Sequence, residues 1–351
     1  MTNNYTCNVV NNRQEFEFSS VRLDQPPIFR NPMDLFGIIF ALVTVMAWGS
    51  WLVPSQNVKF ANEQAKAFYV AIATFSSMVI VVAVRGEFGD LATGAAWVPV
   101  LGGLIWAVSA YSAFVGVKHL GIAKAFGIWA PLNIIVSFIW GLTLFGQFRD
   151  ANPLVILIAV ESLVIVIIGV LLIIFAGEGD KSEEKDQSKK PILGLAGAVG
   201  AGVLWGTYFI PSAFLSRSVE GVAEISPYAS ALPLAAGMVI GTSILVALSG
   251  KSPKLENSGS YTRALSSGIL WALGNTGMLL TVKAIGPGPG YTIASLCVVV
   301  NALWGVFYFK DPHPKSRAAM LTIIGIIIAT LAGVVLGNLE AINGLYQVTK
   351  L

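Results

Sequence analysis

The chain has 351 residues, of which 55% are hydrophobic and only 12% charged. An average soluble domain is about 25% charged, so this chain cannot cover itself with polar surface and must face a lipid bilayer. The formal net charge of +3 gives no reason to expect nucleic acid or another acidic partner. Cys7 sits in a polar tail and Cys297 in an apolar run, so neither a disulfide framework nor metal-ligand spacing follows.

Residues 1–32 form a polar N-terminal tail with no apolar core segment. No cleavable leader is expected there, and the first apolar run would itself direct insertion. Asn4-Tyr5-Thr6 matches a glycosylation acceptor; in so short a tail an unused match is the better expectation. A membrane-crossing helix needs about 20 mainly apolar residues. Candidate spans begin near Asp34, Ala67, Ala96, Ile122 and Pro153, then near Ile192, Pro227, Thr262, Pro289 and Arg317. Residues 33–176 thus make a first five-helix repeat and 192–338 a second. Between them runs a charged linker, 177–191, and residues 339–351 form a C-terminal tail. The linker alternates Asp180, Lys181, Glu183, Glu184, Lys185 and Asp186, a soluble composition that marks the boundary.

The two units are copies. Trp48-Gly49-Ser50-Trp51-Leu52-Val53-Pro54-Ser55 returns as Trp205-Gly206-Thr207-Tyr208-Phe209-Ile210-Pro211-Ser212. Gly103-Leu104-Ile105-Trp106-Ala107 returns as Gly268-Ile269-Leu270-Trp271-Ala272, and Trp140-Gly141 as Trp304-Gly305. An internal repeat decides architecture before any local argument does. Because each unit has an odd number of spans, the second must cross the membrane in the opposite sense. The expected fold is an all-α integral membrane protein of ten transmembrane helices arranged as an inverted 5+5 repeat. That is a transporter architecture, with the solute site near mid-depth between the repeats. Most of the 22 lysines and arginines fall in the odd-numbered connections, which places both termini outside.

No enzyme constellation appears. His119 and His313 lie at short loops without a carboxylate or cysteine at ligand spacing, so no metal or cofactor is expected. Gly286-Pro287-Gly288-Pro289-Gly290 lacks the Lys-Ser/Thr of a phosphate loop and is expected to be a rigid turn or a gating hinge. The informative residues are aromatic and amide. Trp48, Trp51 and Ser55 share a helical face, repeated by Trp205, Tyr208 and Ser212. They are either an interfacial aromatic belt or the walls of a central cavity. Asn133, flanked on its face by Trp129 and Ser137, Asn275 one turn after Trp271, and Asn301 three residues before Trp304 are amides in apolar runs. Each must bond a neighbouring helix or face water. With Trp106, these residues are the candidate solute-binding set. Glu161 is the one acid deep in an apolar run; it either couples transport to protons or bonds an adjacent helix. Gly325, Ala329, Gly333 and Gly337 form a small-residue seam for another helix, within the chain or across a homodimer.

The five-plus-five pattern resembles the drug/metabolite transporter superfamily. The Trp-Gly-Ser-x-x-x-Pro of the first span and Gly121-Ile-Ala-Lys-Ala-Phe-Gly-Ile-Trp-Ala-Pro131 resemble its glucose/ribose porter and rhamnose transporter branch. The resemblance implies an alternating-access carrier with a cavity built from the first four helices of each half, and sugar uptake, often proton-linked. It also implies that the fifth and tenth helices lie away from the cavity. The chain departs from the superfamily where its fourth span ends, reading Phe145-Gly146-Gln147 and, in the second copy, Phe309-Lys310-Asp311. The expected solute is a neutral monosaccharide. The alternatives are a purine, ureide or other heterocycle, which also suits Trp and Asn, or else a channel or non-transporting scaffold. Clustered mid-span polar residues with no ring of charge speak against ion conduction.

Overall fold

The computed structural model describes residues 32–144, 151–176, 190–211, 225–285, 293–294, 296–339 and 342–344. Among these residues the chain is all-helical, without strands. In chain order the helices are α1 (Pro32–Ser50), α2 (Glu63–Arg85), α3 (Pro99–Leu120), α4 (Ile122–Thr143) and α5 (Pro153–Ile174). Then follow α6 (Pro191–Trp205), α7 (Pro227–Ser249), α8 (Ser258–Ile285), α9 (Cys297–Leu303, continued by a π-helical turn at Trp304–Tyr308) and α10 (Arg317–Gly337).

Local chemistry sets these bounds. Pro99, Pro153, Pro191 and Pro227 stand in the first helical turn, where the missing N–H would have no partner anyway. Asn62, Asn152, Ser226 and Ser316 cap α2, α5, α7 and α10 by accepting from backbone N–H groups of the first turn. Gly86 and Gly250 end α2 and α7 at φ 69° and 65°, the left-handed region that favours glycine.

Among the described residues six helices are long and apolar enough to cross a membrane: α2, Gly94–Leu120, α4, α5, α7 and α10. Leu35–Ser50, Pro191–Trp205 and Cys297–Tyr308 are shorter apolar helices. The shortfall against ten expected spans has local causes. Pro54 and Pro211 follow the ends of α1 and α6, which give way to turns at Trp51 and Gly206. The long α8 carries Ser260, Thr262, Arg263, Ser266 and Ser267 in its first turns. The sequon at Asn4, Cys7, Phe145-Gly146-Gln147, most of the linker, Ser212 and the Gly286–Gly290 run lie outside the described residues.

The helices pack through small residues. A Cβ on Gly103 would strike the Leu234 carbonyl of α7, and one on Gly268 the Val70 carbonyl of α2. Backbones therefore touch at both crossings, as in close membrane-helix packing. Side-chain hydrogen bonds tie the first five helices to the last five. Thr44 Oγ1 donates to Gly274 O at 3.4 Å and Ser109 Oγ to Ala201 O at 3.1 Å. Trp304 Nε1 donates to Ser50 Oγ at 2.9 Å, and Trp140 Nε1 to Thr207 Oγ1 at 3.1 Å. The α10 seam is used within the chain: Gly325 and Ala329 pack on Gly169 of α5, and Gly333 on Ile134 of α4. The outer faces are apolar, with Ile156, Leu157, Val164 and Ile168 of α5 exposed together.

Candidate functional site

Where α1, α4, α6, α8, α9 and α10 converge lies a cavity of about 600 Å³, inside the range of about 300–1,000 Å³ typical of small-molecule sites. Its aromatic wall is one connected cluster. Trp205 and Trp271 stack at 5.8 Å with ring planes 21° apart. Trp51 stands edge-on to Trp271 at 4.9 Å and to Trp205 at 6.3 Å. Trp48 leans on Trp271 at 6.2 Å, and Trp129 meets Trp205 edge-on at 5.4 Å. Offset and edge-to-face contacts of this kind suit the ring quadrupole. The polar lining includes Tyr208, Asn133 and Ser137, with Ser137 Oγ 3.3 Å from Asn133 Oδ1 and 3.4 Å from Gly206 O. Among the described residues no charged side chain lines the cavity.

Of the nine candidate binding residues, six line this cavity: Trp48, Trp51, Asn133, Trp205, Tyr208 and Trp271. Both members of each aromatic pair, Trp48 with Trp205 and Trp51 with Tyr208, line this cavity. The face Trp129, Asn133, Ser137 is also placed as its spacing required. Ser55 is not on the Trp48 face, because α1 ends at Ser50; it is buried and donates to Leu52 O at 3.3 Å. The other three candidates lie behind the wall. Trp106 is 0% exposed and sits 5.7 Å beneath Trp271. Asn275 accepts from Trp48 Nε1 at 3.1 Å and so holds that indole in place. Asn301 is 0% exposed and donates from Nδ2 to Gly49 O at 3.2 Å. Glu161 is exposed on the outer face of α5, away from the cavity. His119 Nδ1 accepts from Lys190 N at 3.2 Å, and His313 Nδ1 from Lys315 N at 3.4 Å, both at helix ends.

Sequence reasoning missed three contributors. The end of α10 lines the cavity through Gly333, Val334 and Gly337, although the tenth helix was expected to lie apart. Gly333 carries no side chain to hold α10 off Ile134, so the helix end is drawn against α4. Cys297 and Val298 at the start of α9 also line it; an apolar run does not reveal which face will be wet. Lys66 is 6% exposed behind the aromatic floor, with Nζ 4.7 Å from the Phe114 ring centre and 3.1 Å from Gln56 Oε1. Phe114 in turn touches Trp51 at 5.6 Å, so a cation–π stack seals the floor. A separate groove along α5 and α10, at Ile168, Leu172 and Leu321, is apolar and open to the outside.

Comparison with known proteins bears on this site. Residues 39–339 match the family model described as Sugar transport protein. A protein of Enterococcus faecalis named for sugar uptake is 25% identical over 87% of this chain and 99% of its own length. The probable glucose uptake protein GlcU of Priestia megaterium is 25% identical over 87% of this chain and 99% of its own. The glucose uptake protein GlcU of Bacillus subtilis is 24% identical over 68% and 77%. One crystal structure aligns with a TM-score of 0.54 at 14% identity, covering 84% of this chain and 96% of that one, a likeness of fold alone.

Proposed function

The chain belongs to the sugar transport protein family, and on that premise we propose that it is a secondary carrier of a neutral monosaccharide of the glucose, ribose or rhamnose kind. With relatives named for glucose uptake, it is an integral membrane transporter and not an enzyme. The observation that carries the sugar assignment is the make-up of the cavity. Flat indole faces suit the apolar face of a pyranose ring. Asn133 both donates and accepts, as sugar hydroxyls require. Trp205 Nε1, buried in the cavity wall, is a donor with no hydrogen-bond partner among the described residues. The absence of charge along the described lining favours a neutral solute over a sugar phosphate or an ion.

Alternating access follows if the halves are inverted copies, the arrangement of the drug/metabolite transporters. The matched hydrogen bonds support this. Trp140 and Trp304 are repeat counterparts, as are Thr207 and Ser50. Each indole bonds the hydroxyl at the mouth of the other half's first helix. The Ser109–Ala201 bond and the Gly274–Thr44 bond exchange in the same way. We read the ten helices as five plus five threaded in opposite senses, with both termini outside. The cavity walls run from the Trp48 and Trp51 floor toward the ends of α4, α6 and α10, the face shared with the termini. On this orientation the conformation is outward-open.

Counterflow of labelled glucose, ribose and rhamnose into proteoliposomes tests the proposal. Saturable counterflow of at least one is expected. Failure with every hexose, pentose and deoxy sugar, together with inhibition by allantoin or xanthine in a binding assay, would transfer the site to heterocycles.

A further inference from the structure

We infer that Asn301 and Trp106, which do not line the present cavity, are the solute-binding residues of the opposite-facing conformation; this rests on the carrier function proposed above. The argument begins with how the cavity divides between the repeats. Some lining positions come as complete counterpart pairs, such as Trp48 with Trp205 and Asn133 with Cys297. Those pairs form a shared centre. Other positions contribute one member only. Trp271 lines the cavity and its counterpart Trp106 does not; Ser137 lines it and its counterpart Asn301 does not.

One of the two absent members, Asn301, keeps the geometry of its partner. Ser137 Oγ donates to Gly206 O, and Asn301 Nδ2 donates to Gly49 O, the repeat counterpart of Gly206. The two absent members share an anomaly. Trp106 Nε1 and Asn301 Oδ1 are buried side-chain atoms with no hydrogen-bond partner among the described residues. Buried polar groups are nearly always paired, and leaving one unpaired is costly. A donor on one residue and an acceptor on the other are what a sugar hydroxyl can satisfy. When inverted repeats exchange conformations, Asn301 and Trp106 take up the places that Ser137 and Trp271 hold now. Their unpaired atoms then meet solute, so the strain of the closed face is relieved only when that face opens onto its ligand.

Single cysteines at Ser137 and Asn301 test this in oriented proteoliposomes that transport glucose. A membrane-impermeant thiol reagent is applied from each face, and labelling is located by fragment mass. Native Cys297, in the shared centre, is the internal reference and should react from both faces. Ser137→Cys should react from one face and Asn301→Cys from the other only, with glucose slowing both. Should the cysteine destabilise the protein, Asn301→Ser gives a second readout. It should raise the half-saturation constant about tenfold for transport starting at one face, the loss of about one hydrogen bond, and leave the other face unchanged. Labelling of Asn301→Cys from the Ser137→Cys face overturns the inference. So does its silence from both faces in a variant that still transports, or an equal shift at both faces in Asn301→Ser. Absence of counterflow of every sugar tried in the parent protein defeats the sugar assignment instead, while the sidedness of labelling still decides this one.

Discussion

Trp48 and Trp205 hold matching places in the two repeats, and both line the cavity, yet their indole N–H groups have different fates. Trp48 Nε1 donates to Asn275, while Trp205 Nε1 has no partner among the described residues. The cause is one substitution between the copies: the position corresponding to Asn275 in the first half is Ala110. Of two rings at matching sequence positions, one is held by an amide and the other keeps an unpaired indole N–H among the described residues. The backbone crossings show no such divergence, since Gly103 and Gly268 make the same close approach in each half.

The strongest way to break the comparison is at those shared crossings. Gly103→Val and Gly268→Val should each cost about 3 kcal/mol or more, because the backbone in the way cannot yield. Folded protein recovered from membranes should fall sharply for both. If one variant accumulates normally, the halves are not packed as counterparts.

Next in size is the divergent pair itself. Trp205→Phe keeps an aromatic ring and removes the unpaired donor, so the half-saturation constant for glucose should rise about tenfold with little change in thermal midpoint. Trp48→Phe should do the reverse. It leaves Asn275 Oδ1 without its donor, costs about 1–2 kcal/mol of stability and changes affinity less. Equal effects of the two substitutions on both quantities would show that the difference in hydrogen bonding has no functional weight.

How much of this could be read from residue order follows from the same contrast. The repeated Trp-Gly-Ser/Thr-aromatic segments, the proline-marked helix ends and the Trp129, Asn133, Ser137 face were legible because each rests on spacing within one helix. The partner of Trp48 was not. Asn275 is far away in sequence, and nothing in its own run tells a cavity amide from one that positions a tryptophan. Lining by Cys297 and by the glycines of α10 was hidden for another reason. Cys297 and the α10 glycines carry no strongly polar group, so they do not stand out from the apolar runs around them. Lys66 counted only as a loop charge, because its burial depends on Phe114 and Gln56 arriving from other segments.

A smaller test separates the two ends of the molecule. Arg85 Nε donates to Glu87, and Ser226 Oγ donates to the other Glu87 oxygen at 2.7 Å, tying the end of α2 to the start of α7. The Arg85 hydrogen bond, with help from Ser226, holds the Glu87 carboxyl below its usual range. A carboxyl lowered in the folded state contributes stability above its unfolded value and loses it as pH falls through its folded value. The tie is partly exposed and is worth about 0.5 kcal/mol. At the opposite end two ties involve no carboxylate: Tyr69 Oη donates to Pro253 O at 2.7 Å and Arg263 Nε to Pro54 O at 3.0 Å. Parent and Glu87→Gln should therefore differ in thermal midpoint at neutral pH and converge in acid, whereas Tyr69→Phe should show the same deficit at every pH between 4 and 7, a range of about three units around carboxylate titration.

The smallest effect is expected at Glu161, where the two halves differ by a carboxylate that only the first possesses. Its placement on the exposed face of α5, outside the cavity, separates it from any solute bound among the tryptophans. Eight residues into a helix that rises about 1.5 Å per residue, it lies about 12 Å along the span, where a carboxyl facing lipid costs stability rather than contributing it. Glu161→Gln should leave glucose counterflow and its pH profile unchanged, and should hold or slightly raise the thermal midpoint. A flattened pH profile with folding intact would put this carboxylate into the transport cycle. It would also mean that the first half contributes a proton-handling group as well as a fixed tryptophan, making the copies more unequal than their cavity walls imply.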